Sequence, residues 1–358
     1  MKQKIAIDIR LFYRGKGIAS YINGILYNYQ KYSDKNSPTL ILISDREIPE
    51  ELRKLGYEYK ILPLRIYPIF DLILPFFLWF NRIETLHSPG NTNPLIKLPK
   101  QKFITTIHDL IFFTSEFGGN TIYQKIGRLY LRFNVKFTKK YNDKIISVSE
   151  YSKNDIARIL KIPLSKIHVI YQGFSDDYRN LIKKEISKKK EFLAFGSLDA
   201  RKNTVLIIKA FKKFSENHPE YILNLVGIQQ KDLRQIRFKI KNWENIKFHG
   251  FIDNHSLLEL YQTCVALVYP SLYEGFGIPI IEAQSCNTAV ITSNITSTKE
   301  IAGNSALLID PYSEKELIRA LESIISISVQ KDLVLRGEEN IQRFLWENII
   351  DSYKSIYQ

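Results

Sequence analysis

The sequence predicts an α/β protein of two domains, each built on a mostly parallel sheet. Three observations carry this reading. Apolar runs of strand length alternate with longer amphipathic segments, the pattern of βαβ units. The alternation starts afresh near residue 191, after a polar stretch that ends in Lys188-Lys189-Lys190. A chain of 358 residues with 45% hydrophobic content is long for one core and comfortable for two.

In the first half, residues 4–9 read as an opening strand. The loop Arg14-Gly15-Lys16-Gly17-Ile18-Ala19-Ser20-Tyr21 and a helix with Ile18, Ile22, Ile25, Leu26 and Tyr29 on one face follow. A short Gly-x-Gly is common in turns, so this loop alone is a weak signal. Further strands are expected at 39–44, 83–87, 103–108 and 144–149. In parallel sheets ligands gather beyond the carboxyl ends of the strands. His87-Ser88-Pro89-Gly90 and Thr106-Ile107-His108-Asp109-Leu110 lie at such ends.

Residues 66–80 are apolar and aromatic but carry Pro68, Asp71 and Pro75. The segment is too short and interrupted to span a bilayer. It is expected to be a buried helix, with shallow membrane contact as the other reading. Residues 122–141 read as one long helix with Lys125, Arg128, Arg132, Lys136, Lys139 and Lys140 at spacings that share a face. That face suits either solvent or an anionic surface. Ser149 is expected to cap the next helix.

Net charge is +14, and residues 1–180 hold 28 basic against 16 acidic side chains. The positive balance therefore belongs to the first half, which suggests an anionic partner there, while ordinary solvated faces remain open. No recognised nucleic-acid module accompanies the charge, so no nucleic-acid partner is expected. Cys264 and Cys286 have no His or Cys at ligand spacing, and Met1-Lys2-Gln3-Lys4-Ile5 shows no signal-peptide pattern. A reducing, cytoplasmic compartment and no metal site are expected.

In the second half, strands are expected at 191–197, 221–227, 245–249, 265–269, 289–293 and 306–310. Helical segments at 313–326 and 332–346 end the chain. The domain plan is 1–175, a linker at 176–190, a second domain at 191–335, and 336–358 returning towards the first. Two loops stand out. Gly196-Ser197-Leu198-Asp199-Ala200-Arg201-Lys202-Asn203 follows the first strand. Its planar Arg and compact Lys suit a diphosphate, although a lone pair of this kind is commonly a solvated surface feature. Glu274-Gly275-Phe276-Gly277-Ile278-Pro279-Ile280-Ile281-Glu282 runs from a buried strand into a helix with an early proline. Its glycines permit close backbone approach, and two carboxylates can bracket one polar ligand.

The nonapeptide resembles the Glu-x7-Glu pattern of retaining, nucleotide-sugar-dependent glycosyltransferases of family 4. The resemblance extends to the Arg-Lys-Asn loop, the Thr-Ile-His-Asp-Leu stretch and the Ser-Glu-Tyr-Ser turn, and so spans nearly the whole chain. It implies the GT-B fold, two Rossmann-like domains with parallel sheets facing each other across a cleft. It also implies metal-independent transfer of a hexose to a glycan or lipid-linked acceptor hydroxyl. Arg201 and Lys202 would neutralise the leaving nucleoside diphosphate. Glu282 would hold the ribose. Glu274 and the amides of Gly275, Phe276, Gly277 and Ile278 would hold the donor sugar. Gly250 and Phe251 would read the base by their backbone, Gly15 and Gly17 would face donor phosphates and acceptor, and His108 would reach the transferred sugar from the first domain.

No cofactor beyond the donor is implied, with GDP-mannose favoured and UDP- or dTDP-sugars open. The Thr-Ile-His-Asp-Leu stretch and the Ser-Glu-Tyr-Ser turn look most like mannosyl and rhamnosyl transferases of bacterial surface polysaccharides; a cytoplasmic position is expected, with peripheral contact at the inner face of the membrane left open. Ala19, Asn287 and Ala289 depart from the family pattern; Asn287 is expected to keep its turn through a left-handed backbone. An epimerase of the same fold and a non-catalytic nucleotide-sugar-binding protein are the competing readings. A retaining hydrolase, with two carboxylates on facing elements, fits the single turn-and-helix arrangement less well.

Overall fold

The computed structural model describes residues 2–13, 16–114, 122–175, 178, 187–232 and 244–358, with the side chains of residues 16 and 122–124 excepted. Contacts divide the chain into two compact units, Met1–Gly173 with Leu345–Gln358, and Phe174–Phe344.

The first unit has strands β1 (Lys4–Asp8), β2 (Thr39–Ser44), β3 (Glu58–Ile61), β4 (Thr85–Ser88), β5 (Lys102–Ile107), β6 (Lys144–Ser147) and β7 (Ile167–Val169). They form one parallel sheet in the order β3-β2-β1-β4-β5-β6-β7. The strand order reverses between β1 and β4, the point at which a doubly wound sheet opens a crevice. Its helices are α1 (Lys16–Tyr32), α2 (Glu50–Arg53), α3 (Tyr67–Phe80), α4 (Ile122–Asn134), α5 (Lys136–Tyr141) and α6 (Glu150–Leu160). Ser149 caps α6 as expected, its side chain accepting from Ser152 N at 3.0 Å.

Three expectations change here. The 122–141 helix is broken into α4 and α5 at Val135, a fully buried residue between them. Strands β3 and β7 were not foreseen, because Glu58–Ile61 and Ile167–Val169 are short and alternate charged or polar residues with apolar ones. The 66–80 stretch is a helix but not a buried one, since Ile69, Leu72, Ile73, Phe76, Trp79 and Phe80 are exposed. Asp71, which looked like an interruption, is buried instead. Its carboxylate takes Arg10 at 2.6 Å and accepts from Tyr130 and Asn134. Arg10 also pairs with Asp8 at 2.5 Å and lies over the Phe70 ring.

The second unit has strands β8 (Lys189–Phe195), β9 (Ile222–Val226), β10 (Ile246–Gly250), β11 (Cys264–Tyr269), β12 (Ala289–Ser293) and β13 (Leu307–Ile309), parallel in the order β10-β9-β8-β11-β12-β13. Its helices are α7 (Thr204–Asn217), α8 (Asn254–Thr263), α9 (Ile278–Ser285), α10 (Thr296–Ala302), α11 (Glu314–Ile324) and α12 (Ile327–Asn340). The core gathers Phe192, Phe211, Phe214 and Tyr221 with aliphatic residues of the sheet. Order reverses between β8 and β11, so the loops after these two strands border the same crevice.

The expected helix at 332–346 is likewise split. Helix α12 stops at Asn340, a short 3-10 turn covers Ile341–Phe344, and α13 (Trp346–Tyr357) packs on the first unit. Trp346 therefore starts a helix rather than ending one. Its ring lies where a Cβ at Gly24 or Gly173 would have to go, so those two positions admit only glycine without a shift.

Candidate functional site

The site is clearest in the second unit, beyond β8 and β11. After β8 the chain passes Gly196 and makes a 3-10 turn, Ala200–Lys202, which Asp199 caps by accepting from Arg201 N. Asn203 then adopts φ +56° and donates to Pro270 O (3.1 Å) and Pro311 O (2.7 Å). The Arg201 carbonyl accepts from Leu272 N at 2.9 Å. These bonds tie the Arg-Lys loop to the loops after β11 and β13.

That tie brings Arg201, Lys202 and Glu274 together. Lys202 Nζ donates to Glu274 Oε1 (2.8 Å) and to Tyr269 Oη (2.7 Å), and Tyr269 Oη donates to the same Oε1 (2.8 Å). Arg201 Nη1 lies 3.6 Å from Glu274 Oε2. Burial works to raise the Glu274 pKa, but Lys202 and Arg201 outweigh it and hold the carboxyl below its usual range. Burial likewise works against the Lys202 ammonium, and Glu274 reverses it, so the lysine stays charged. Tyr269 is pushed up to about 12 by burial and by Glu274. Sequence reasoning missed Tyr269; the signal was an apolar strand that ends in a phenol where its loop begins.

Gly277 has φ +107°, a conformation that suits glycine, and it turns the loop into α9 with Pro279 in the first turn. The Phe276 ring is buried edge-on against Phe344 at 5.7 Å, so any ligand contact there falls to the backbone. Ser297 Oγ holds the Glu274 carbonyl at 2.8 Å.

Glu282 sits on α9, partly buried, and accepts one hydrogen bond from Tyr261 Oη at 2.8 Å. Burial pushes its pKa up to about 7, with Tyr261 opposing. Tyr261, also not foreseen, packs on Phe195, which in turn meets Tyr269 edge-on. Phe195 therefore lies between the two tyrosines that hold the two carboxylates. Gly250 closes β10 at φ +62° and is followed by Phe251, whose side chain is exposed. Asn287 adopts φ +53°, the left-handed turn expected of it.

In the first unit, His108 follows β5. Its neutral ring donates from Nε2 to Pro89 O (2.9 Å), and Nδ1 is placed to accept from Gln172 Nε2 (3.3 Å). Burial lowers its pKa to about 4. The Tyr21 ring stands edge-on to it at 4.6 Å. Gly17 is in the first turn of α1 with open space around it, and Gly15 lies outside the described residues. Behind His108, a buried relay joins α13 to the sheet. His87 bonds Tyr357 Oη and Thr106 Oγ1, each at 2.8 Å, and Tyr21 Oη bonds Thr106 Oγ1 (3.1 Å) and Tyr353 Oη (2.5 Å).

Comparison with known proteins covers the chain almost end to end. The model for glycosyl transferases group 1 matches residues 177–340, and that for Glycosyltransferase Family 4 matches residues 39–178. The chain is similar to O-antigen chain mannosyltransferase B of Escherichia coli, 30% identical over 71% of this chain and 70% of that protein. It is 27% identical to the O-antigen chain mannosyltransferase RfbU of Salmonella typhimurium, over 95% of each. The crystal structure of Anabaena HepE in complex with UDP and glucose superposes with a TM-score of 0.72 at 16% identity, covering 99% of both chains, and supports the GT-B fold. With the motifs on their predicted strand ends and both family models matched, the chain belongs to glycosyltransferase family 4.

Proposed function

We propose that the protein transfers mannose from GDP-mannose, with retention at the anomeric carbon and without a metal ion, to a hydroxyl of a glycan or lipid-linked acceptor in surface-polysaccharide synthesis. The observation that carries this reading is the Arg201, Lys202 and Glu274 cluster at the reversal point of the second sheet. Sugar transfer from a nucleotide donor leaves negative charge on the departing diphosphate, and preorganised cations stabilise charge that develops there. Lys202 has three N–H donors. Among the described residues two are committed, to Tyr269 and Glu274, which leaves a third to meet an anion. Arg201 adds a planar fork beside it.

Glu282 accepts from Tyr261 Oη and burial raises its pKa to about 7, so its oxygens, when ionised, suit the paired hydroxyls of a ribose. The Gly275 to Ile278 backbone is proposed to meet the donor sugar, and Gly250 with Phe251 the base. Neutral His108 keeps its Nε2 bond to Pro89 O and is proposed to accept at Nδ1 from a hydroxyl of the transferred sugar in place of the long 3.3 Å bond from Gln172. The mannose assignment is supported by the names of both curated relatives. A nucleotide donor is supported by the UDP held in the HepE structure.

The test is a calorimetric panel of GDP-mannose, UDP-glucose and dTDP-rhamnose, followed by transfer of radiolabelled mannose to a polyprenol-linked oligosaccharide fraction, with and without EDTA. Preferred binding of GDP-mannose, EDTA-insensitive transfer and an α-linked product are expected. Preference for another nucleotide sugar would replace the donor. Loss of turnover in EDTA or an inverted linkage would overturn the corresponding part of the mechanism.

A further inference from the structure

The backbone of His108 is fixed on both sides. Its N–H donates to Asn91 Oδ1 (2.8 Å), and its carbonyl accepts from Ser152 Oγ (3.0 Å). The ring is held less fully. A carbonyl only accepts, so the 2.9 Å contact with Pro89 O puts the hydrogen on Nε2 and leaves Nδ1 of the neutral ring as an acceptor. With that single short bond the imidazole can rock about Nε2, and a half-turn about Cβ–Cγ would exchange Nδ1 with a ring carbon.

Tyr21 of α1 supplies a second restraint. Its ring stands at 81° to the imidazole with centroids 4.6 Å apart, the edge-to-face arrangement that aromatic pairs favour. The tyrosine is buried, and its Oη bonds both Tyr353 Oη (2.5 Å) and Thr106 Oγ1 (3.1 Å). One partner would satisfy a buried phenol; two also fix the direction of its ring. Thr106 lies two residues before His108, the spacing that puts two side chains on one face of an extended chain, and Tyr21 meets both. Thr106 is bonded in turn to His87, and His87 to Tyr357. The series Tyr353, Tyr21, Thr106, His87, Tyr357 can be satisfied in one direction, each inner group giving one hydrogen and taking another. None of the titratable groups around the ring adds a competing charge to this series: burial pushes the Tyr21 phenol up to about 12 and keeps His87 neutral, and the Asp109 carboxylate accepts from Ile111 N.

We propose that Tyr21, anchored by Tyr353 and Thr106, is a positioning residue for His108, holding the imidazole plane and its acceptor nitrogen in one place for the transferred sugar. The inference rests on the sugar contact proposed above for His108. It gives α13, at the end of the chain, a part in that contact through the Tyr353 hydroxyl.

Two measurements test it: transfer kinetics in a double-mutant cycle, and NMR of the full chain carrying 15N-labelled histidine, with the His108 signal assigned by its loss in His108→Ala. Tyr21→Leu should lower kcat about 10- to 100-fold, the range for a displaced substrate contact, with GDP affinity unchanged. The same substitution in the His108→Ala background should cost nothing more, because Tyr21 acts through the imidazole. Tyr21→Phe and Tyr353→Phe keep the Tyr21 ring and loosen its anchors, so their rates should fall between Tyr21→Leu and the wild type. Without substrate, the wild-type His108 ring should show the Nε2–H tautomer and titrate only at about 4. In Tyr21→Leu the tautomers should mix and the titration should move towards the ordinary value near ~6.5. Additive losses in the cycle, or a His108 signal that Tyr21→Leu leaves unchanged, would overturn the proposal. A wild-type rate in His108→Ala would sink the sugar contact itself, a failure distinct from this one, since the tautomer and titration are read without substrate.

Discussion

Lys202 Nζ and Glu274 Oε1 lie 2.8 Å apart, and Tyr269 Oη completes a triangle with them. The carboxylate balances two cations, since Arg201 lies against its other oxygen. Glu274→Gln should therefore leave a buried lysine without its counter-charge and lower unfolding free energy by about 2–4 kcal/mol, somewhat less than a fully enclosed pair would lose. The sign with pH follows from the depressed carboxyl pKa. The stabilisation is complete above the unfolded value near ~4.3 and is lost as pH falls through the lower folded value. Urea unfolding as a function of pH should show a flatter acid limb in Glu274→Gln; an acid limb identical to the wild type would contradict the pairing.

Glu282 behaves in the opposite sense. Burial raises its folded pKa to about 7, so the native state holds a proton that the unfolded chain has released. Its contribution is fully present below the unfolded value and is lost as pH rises through about 7. Glu282→Gln keeps an acceptor for Tyr261 and removes the charge. Relative to the wild type it should gain about 2 kcal/mol at pH ~8 and little at pH ~5. Equal effects at both pH values would place the ionisation elsewhere.

The buried relay from α13 to the first sheet makes a separate prediction. His87 is fully buried, which pushes its pKa down to about 3, with His108 adding to the shift. A histidine depressed in the folded state supports stability above its unfolded value near ~6.5, and that support is lost as pH falls towards the folded value. His87→Gln should cost about 1–2 kcal/mol at pH 7 through its bonds to Tyr357 and Thr106, and should weaken the pH dependence of stability below pH ~6. Thermal melts across that range decide it.

Trp346 lies over Gly24 of α1 and over Gly173 at the end of the first unit's opening segment. Gly24→Ala would press a methyl into the ring and should lower stability by about 1–3 kcal/mol, despite the better helix propensity of alanine. Gly17→Ala in the same helix meets nothing within 4 Å and should be neutral or mildly stabilising. If both substitutions stabilise alike, the packing of Trp346 on α1 is wrong.

The alternation of apolar runs with amphipathic segments made both sheets legible, because buried parallel strands must be continuously apolar and their crossovers must be helical. Lys202 and Glu274 were legible as separate motifs, each at a strand end. Tyr269 and Tyr261 were not, since a tyrosine in an apolar strand or helix is indistinguishable from core until its hydroxyl partner is known. The exposed face of α3 was misread for a related reason. Apolar composition reports that a surface avoids water, but only the packing of Phe70, Leu74 and Leu78 shows which half is covered. The break at Val135 and the early end of α12 depend on tertiary burial, which local propensity does not encode.

The measurement that tests the central claim most directly is GDP-mannose binding by calorimetry to the wild type, Arg201→Ala and Glu282→Gln at pH ~6 and ~8. A ribose that donates to ionised Glu282 binds the deprotonated carboxyl, so wild-type affinity should fall on going to the lower pH, with proton release near neutrality. Glu282→Gln should bind about tenfold or more weakly at the higher pH and lose that pH dependence, as a charged hydrogen bond is replaced by a neutral one. Arg201→Ala should weaken binding at both pH values. Wild-type affinity in both variants, with no proton exchange on binding, would contradict the assignment of the donor site to this cluster.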